Sequence, residues 1–117
     1  MEKQQVVEVF SKTGYTALEE TEKAIGFIAS HSRRVVYLRL DSGLPSRVRV
    51  VVEPDYDTSL LGGIQGVARP RLGIQHGSNM RRFPKRLNRG EKEIHYGTPM
   101  DADTLGGLES LLNQYQR

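Results

Sequence analysis

Two alternating runs constrain this chain more than anything else in it. In Arg33–Leu40 (RRVVYLRL), Val36, Leu38 and Leu40 point one way and Val35, Tyr37 and Arg39 the other. In Arg47–Glu53 (RVRVVVE), Val48, Val50 and Val52 oppose Arg47, Arg49 and Val51. A period of two is what a pleated strand imposes on side-chain direction. Asp41–Ser46 between the runs holds a glycine and a proline, so the pair reads as a β-hairpin over about 34–53. If the valines face a core, Tyr37, Arg39, Arg47 and Arg49 share the outer face. Like charges on neighbouring strands repel by roughly a few tenths of a kcal/mol. These arginines therefore either splay into solvent or hold an anion or an acidic side chain between them.

The remaining elements are fitted around that hairpin. Val6–Phe10 (VVEVF) is β-branched and aromatic and reads as a short strand. Thr16 and Glu19 have capping-box spacing, and Leu18, Thr21, Ile25 and Ile28 form a stripe, which predicts a helix over about 16–30. Gly26 inside it costs roughly 1 kcal/mol against alanine, a sign that a neighbour packs close. Pro54–Thr58 is a turn and Ser59–Ile64 at most a helical turn. Pro70 makes Val67–Ile74 an edge strand or an extended loop. His76–Gly90 has no clear period, and Glu93–Tyr96 is a short strand. Asp101 or Asp103 caps a last helix over about 103–115, with Leu105, Leu108, Leu112 and Tyr115 as its apolar stripe. The order implies an α+β domain spanning 1–117, with two helices (about 16–30 and 103–115) on one face of a small, mostly antiparallel sheet.

Charge supplies the functional lead. Between Arg69 and Tyr96 eight Arg and Lys residues stand against Glu91 and Glu93, a surplus of six. The whole chain carries +3, so the remainder is −3. Such segregation presents one segment to an anion. Arg81, Arg82, Lys85, Arg86 and Arg89 crowd into nine residues with Phe83 among them, and 76–92 reads as a basic, mobile loop. Several cations release counterions from phosphates, and an aromatic can stack on an unpaired base. The candidate nucleic-acid contacts are Arg69, Arg71, Arg81, Arg82, Phe83, Lys85, Arg86, Arg89, His95 and Tyr96, extended by Arg39 and Arg49 on the hairpin face. The expected partner is DNA or RNA held mainly through its backbone; an acidic protein is the alternative.

Other chemistries have less behind them. The chain has no cysteine, which removes disulfides, thiolate metal sites and cysteine nucleophiles. Glu53-Pro-Asp-Tyr-Asp57 gathers three carboxylates after a strand, a second alternative being a magnesium-dependent nuclease using Asp55 and Asp57. Pro54-Asp55 resembles the start of the Pro-Asp…Asp/Glu-x-Lys pattern of restriction-type nucleases. The second half of that pattern is missing: Arg69-Pro-Arg71 stands on the next strand candidate, and Glu91-Lys-Glu93 ends in the wrong residue. His31, His76 and His95 lack metal-pair spacing, and Leu61-Gly-Gly-Ile-Gln-Gly66 lacks a phosphate-loop lysine. No catalytic set, metal or cofactor is assigned. The charged N-terminal MEKQQVVEVF is unlike a secretory signal, and no apolar run approaches the roughly 20 residues of a membrane span, so a soluble cytoplasmic protein is expected.

Overall fold

The hairpin lies at the centre of an eight-stranded antiparallel sheet in the computed structural model, which describes residues 1–88, 90 and 92–117. The elements are α1 (Lys3–Lys12), β1 (Tyr15–Glu20), β2 (Ala24–Ala29), β3 (Val35–Arg39), β4 (Val48–Val52), a 3-10 turn (Thr58–Leu61), β5 (Val67–Ala68), β6 (Gln75–His76), β7 (Lys85–Asn88), β8 (Lys92–Ala102) and α2 (Leu105–Tyr115). Strand order is β1-β2-β3-β4-β8-β5, with β6 and β7 also pairing with β8. The architecture is α+β with both helices on one face, as the sequence implies, but the first helix is elsewhere in the chain. No helix among the described residues is long and apolar enough to cross a membrane.

Residues 16–30 form the β1–β2 hairpin instead of a helix. Ala24–Ala29 is buried throughout: Ile25, Phe27 and Ala29 meet the helices, while Ala24 and Ile28 meet the opposite cluster. A continuous apolar run of this kind fits either period, and pairing on both sides decides for the strand. Thr21 closes the turn, its amide donating to the Ala24 carbonyl at 2.8 Å and its hydroxyl accepting the Ala24 amide at 3.2 Å. Gly26 is indeed a close approach. It lies opposite Tyr37, and a Cβ there would stand 2.8 Å from the Tyr37 ring.

Val6–Phe10, expected as a strand, belongs to α1. Val6, Val9 and Phe10 are its buried positions, at i, i+3 and i+4, and the Glu2 amide donates to Gln5 Oε1 at 2.9 Å at its start. In α2 the N-cap is Thr104 rather than Asp101 or Asp103; its hydroxyl accepts the Gly107 amide at 2.9 Å. Leu108, Leu111, Leu112 and Tyr115 pack with Val6, Val9 and Phe10 over Val36, Leu38, Val48, Val50 and Val52. Tyr115 also ties α2 to the hairpin: its hydroxyl donates to the Val35 carbonyl at 2.6 Å and accepts the Glu53 amide at 2.9 Å.

The other sheet face carries a second, smaller core of Ala24, Ile28, Val35, Tyr37 and Val51, closed by Met80 and Phe83. How those two residues come to lie there follows from β8. The Gly77 amide donates to the His95 carbonyl, while the Tyr96 amide donates to the Pro84 carbonyl. Adjacent residues of a strand bond to opposite sides. The chain therefore crosses β8 between Gly77 and Pro84, and the crossing lays Met80 and Phe83 onto the sheet.

Candidate nucleic-acid interface

The basic stretch is built as a crossing segment that leads into a two-stranded arm. Lys85–Asn88 alone would not declare itself a strand, since Lys and Asn are poor β-formers. It becomes one because β8 runs past the sheet and offers an open edge. The register sets Lys85 opposite His95, Arg86 opposite Ile94, Leu87 opposite Glu93 and Asn88 opposite Lys92. Alternation gives the arm one face with Lys85, Leu87, Glu93 and His95, and another with Arg86, Asn88, Lys92, Ile94 and Tyr96. The Arg86 guanidinium carbon stands 5.6 Å from the centre of the Tyr96 ring, within cation–π range.

Arg81, Arg82, Lys85, Arg86 and Lys92 are all exposed, and none forms an ion pair with a described residue. Lys92 contributes to the charge of the stretch, yet its place on the Arg86 face appears only with the register. Arg89 lies outside the described residues. The crossing beneath these cations is anchored. The Arg82 amide donates to Tyr37 Oη at 3.0 Å, and the Phe83 amide to the Met80 carbonyl at 3.1 Å. His95 Nδ1 lies 2.7 Å from the Phe83 carbonyl oxygen. A carbonyl only accepts, so Nδ1 carries the proton and His95 serves as a clip holding the crossing to β8.

Three of the expected contacts are corrected by burial. Phe83 is 4% exposed and meets Tyr37 edge-to-face at 5.0 Å, so its ring is not offered to a base. Arg39 is 4% exposed, donates from Nη2 to Asp41 at 2.9 Å and from Nη1 to Asn79 at 3.1 Å, and lies under the crossing. Burial pushes the Asp41 carboxyl up, but the bonds and charge of Arg39 outweigh it and hold it below the ordinary carboxylate range. Arg49, 9% exposed, sits opposite Asp101 and grips it with Nε and Nη2, bonds that raise its own pKa; Arg47 Nε reaches the same carboxylate at 3.2 Å. An acidic side chain between the hairpin arginines is the arrangement found. Nothing nearby in sequence announces Asp101 as that partner.

Arg69 and Arg71 are exposed but lie apart from the arm. Ala68, just before Arg69, pairs with Asp101, six residues beyond His95 along β8, or about 20 Å of strand. The Arg69 guanidinium donates to Thr58 Oγ1 at 3.3 Å.

The acidic constellation comes apart as well. Glu53 is bound by Arg34 at 3.0 Å and accepts the Val35 amide. Asp57 caps the 3-10 turn, and the Ser59 hydroxyl and amide hold its carboxyl below the usual range. Asp55 is exposed and forms no bond with a described residue that would fix it toward the other two. Among the described residues no three potential metal-ligating side chains come together. Asp55 instead shares a cleft of about 420 Å³ with Arg82 and Tyr96.

No family model matches the chain, and no curated protein matches it.

Proposed function

We propose that this protein binds nucleic acid through the β7–β8 arm and the crossing at its root, using Arg81, Arg82, Lys85, Arg86 and Lys92. The observation that carries this reading is their exposure, without an ion pair to any described residue, on a two-stranded ribbon (Lys85, Arg86, Lys92) and the crossing at its root (Arg81, Arg82), while the arginines of the central sheet are held by acids. A two-stranded ribbon is a shape that nucleic-acid grooves admit. Free cations spread along one also suit a phosphate backbone, where each contact releases counterions. Backbone contacts position a protein without reading sequence, so a strong salt dependence and weak sequence preference are expected.

The test is titration of labelled single- and double-stranded oligonucleotides across a range of salt. Changing Arg81, Arg82 and Arg86 together to alanine should flatten the slope of log affinity against log salt by about 2 to 3 units. Absence of binding to either kind of strand at low salt would refute the reading. An acidic protein partner would then come first. The observation favouring that second reading is Leu87, 57% exposed on the arm face beside Lys85 and opposite Glu93, where an apolar groove suits it better than a phosphate.

A further inference from the structure

We infer that the cleft at the root of the arm takes a single unpaired guanine of a single-stranded nucleic acid. This rests on the arm being a nucleic-acid contact and goes beyond it, because a base-reading site discriminates where backbone contacts do not. The cleft, about 420 Å³, is lined by Glu53, Asp55, Arg82, Phe83, Pro84 and Tyr96. Its volume lies within the roughly 300–1,000 Å³ usual for small-ligand sites.

Its lining supplies the three kinds of group an unpaired nucleotide needs. Tyr96 and Pro84 offer flat, largely apolar surface, and Tyr96 is already half-buried with Arg86 at its ring. Arg82 has its backbone pinned to Tyr37 and its side chain exposed, a cation for the phosphate attached to that base that extends from an anchored backbone. Asp55 supplies a carboxylate. Glu53 is spoken for by Arg34 and the Val35 amide, so Asp55 is the acceptor left for a ligand.

A carboxylate at the base end selects among the bases by elementary hydrogen-bond logic. It has two acceptor oxygens and, ionised, no donor. Guanine presents two adjacent donors, N1–H and the N2 amino group, on its Watson–Crick edge. Adenine and cytosine each set one amino donor beside an acceptor nitrogen, which repels the second oxygen. Uracil and thymine set one donor between two carbonyls. Only guanine satisfies both oxygens. Reaching that edge requires an unpaired base, which restricts the ligand to single strands, loops or ends.

The experiment uses the full chain and fluorescently labelled hexamers of uridine with G, A, C or U at one central position, each also made as DNA on a thymidine background. A matching duplex is included. The G hexamer should bind about tenfold tighter than the U hexamer, the size of one good bidentate pair. Asp55→Asn should bring the two within about twofold while leaving the salt slope unchanged, because Asn offers one acceptor and one donor. The exposed position of Asp55 keeps that variant folded, and its circular dichroism should match the parent. Comparable preference in RNA and DNA shows that the base alone is read; preference in one series alone shows that the sugar is read with it. Four hexamers of equal affinity, a preference that survives Asp55→Asn, or a duplex that binds as tightly as its G strand would each overturn the cleft while leaving the arm in place. Failure of every hexamer and the duplex to bind at low salt would overturn both.

Discussion

Replacing Phe83 with alanine should separate the two roles of the basic stretch, presentation of charge and closure of the second core. Phe83 is almost fully enclosed: its ring meets Tyr37 edge-to-face, and a Cβ at Gly97 would lie 2.8 Å from it. Removing a buried phenyl ring costs about 3–5 kcal/mol in lost transfer energy and residual cavity. The aromatic pair, worth about 0.5–1.5 kcal/mol, is lost within that sum. The crossing is a surface segment that can partly sink into the gap, so the lower end, about 3 kcal/mol, is the expected value. Against a total stability of about 5–15 kcal/mol this is large enough to read from the urea midpoint. Hydrogen exchange shows where the loss falls. The Arg82 and Phe83 amides, bonded to Tyr37 Oη and the Met80 carbonyl, should exchange slowly in the parent and much faster in the variant. Oligonucleotide affinity should fall too, although no cation has changed, since Arg81 and Arg82 would no longer be held in place. A loss within the roughly 0.5 kcal/mol typical of surface substitutions, with amide exchange unaltered, would mean that Phe83 does not anchor the crossing.

Two further outcomes are expected. Burial raises the pKa of Tyr15 and of Tyr115, each of which also donates its hydroxyl proton to a backbone carbonyl. Their contribution is complete below the unfolded value near 10 and lost above it, by up to about 1.4 kcal/mol per pH unit for each tyrosine; urea midpoints from pH 8 to 11.5 should bend downward near 10, and Tyr115→Phe, though less stable at neutral pH, should show a shallower fall. Asn88→Glu sets a carboxylate opposite Lys92, which should leave the arm as stable or more so by about 0.2–1 kcal/mol, yet weaken oligonucleotide binding and lower the salt slope by about 1; unchanged affinity would mean that this face of the arm does not meet phosphate.

The parts of the fold that sequence reveals are those where one residue pattern has one physical reading. The valine alternation in 35–39 and 48–52 does, and so does the stripe of Leu108, Leu112 and Tyr115. Residues 3–29 are harder because each stretch satisfies two readings. Val6, Val9 and Phe10 are a helix stripe embedded in a β-rich string, while Thr16 and Glu19 imitate a cap on a chain that pairing pulls into strands. The exposed cations were legible from composition alone. Their mounting was not, because Lys85–Asn88 becomes a strand through the edge that β8 offers it, and Met80 and Phe83 are single apolar residues with no period to mark them as buried. Asp101 likewise looks like a helix cap locally, and only strand register brings Arg49 opposite it.

That register also shows why one strand can serve two purposes. Along its C-terminal half, β8 meets β4, and the only arginine of β4 faces an acid there. The guanidinium is nearly out of water, where an unpaired charge would cost several kcal/mol, so folding requires Asp101 at that place. Along its N-terminal half β8 meets β7, and no cation of β7 has a carboxylate directly opposite: Lys85 faces His95 and Arg86 faces Ile94, while the one acid, Glu93, faces Leu87. Water solvates these cations, and pairing them would add only about 0.2–1 kcal/mol to the arm. Leaving them without an acid directly across the strand is thus inexpensive for stability, and under the proposed function each acid placed there would remove a phosphate contact. β8 therefore sets an acid opposite a buried arginine where burial demands it and none opposite the cations of β7 where solvent permits it, and between the two stretches lie His95 and Tyr96, which take the bonds of the crossing and, at Tyr96, line the cleft.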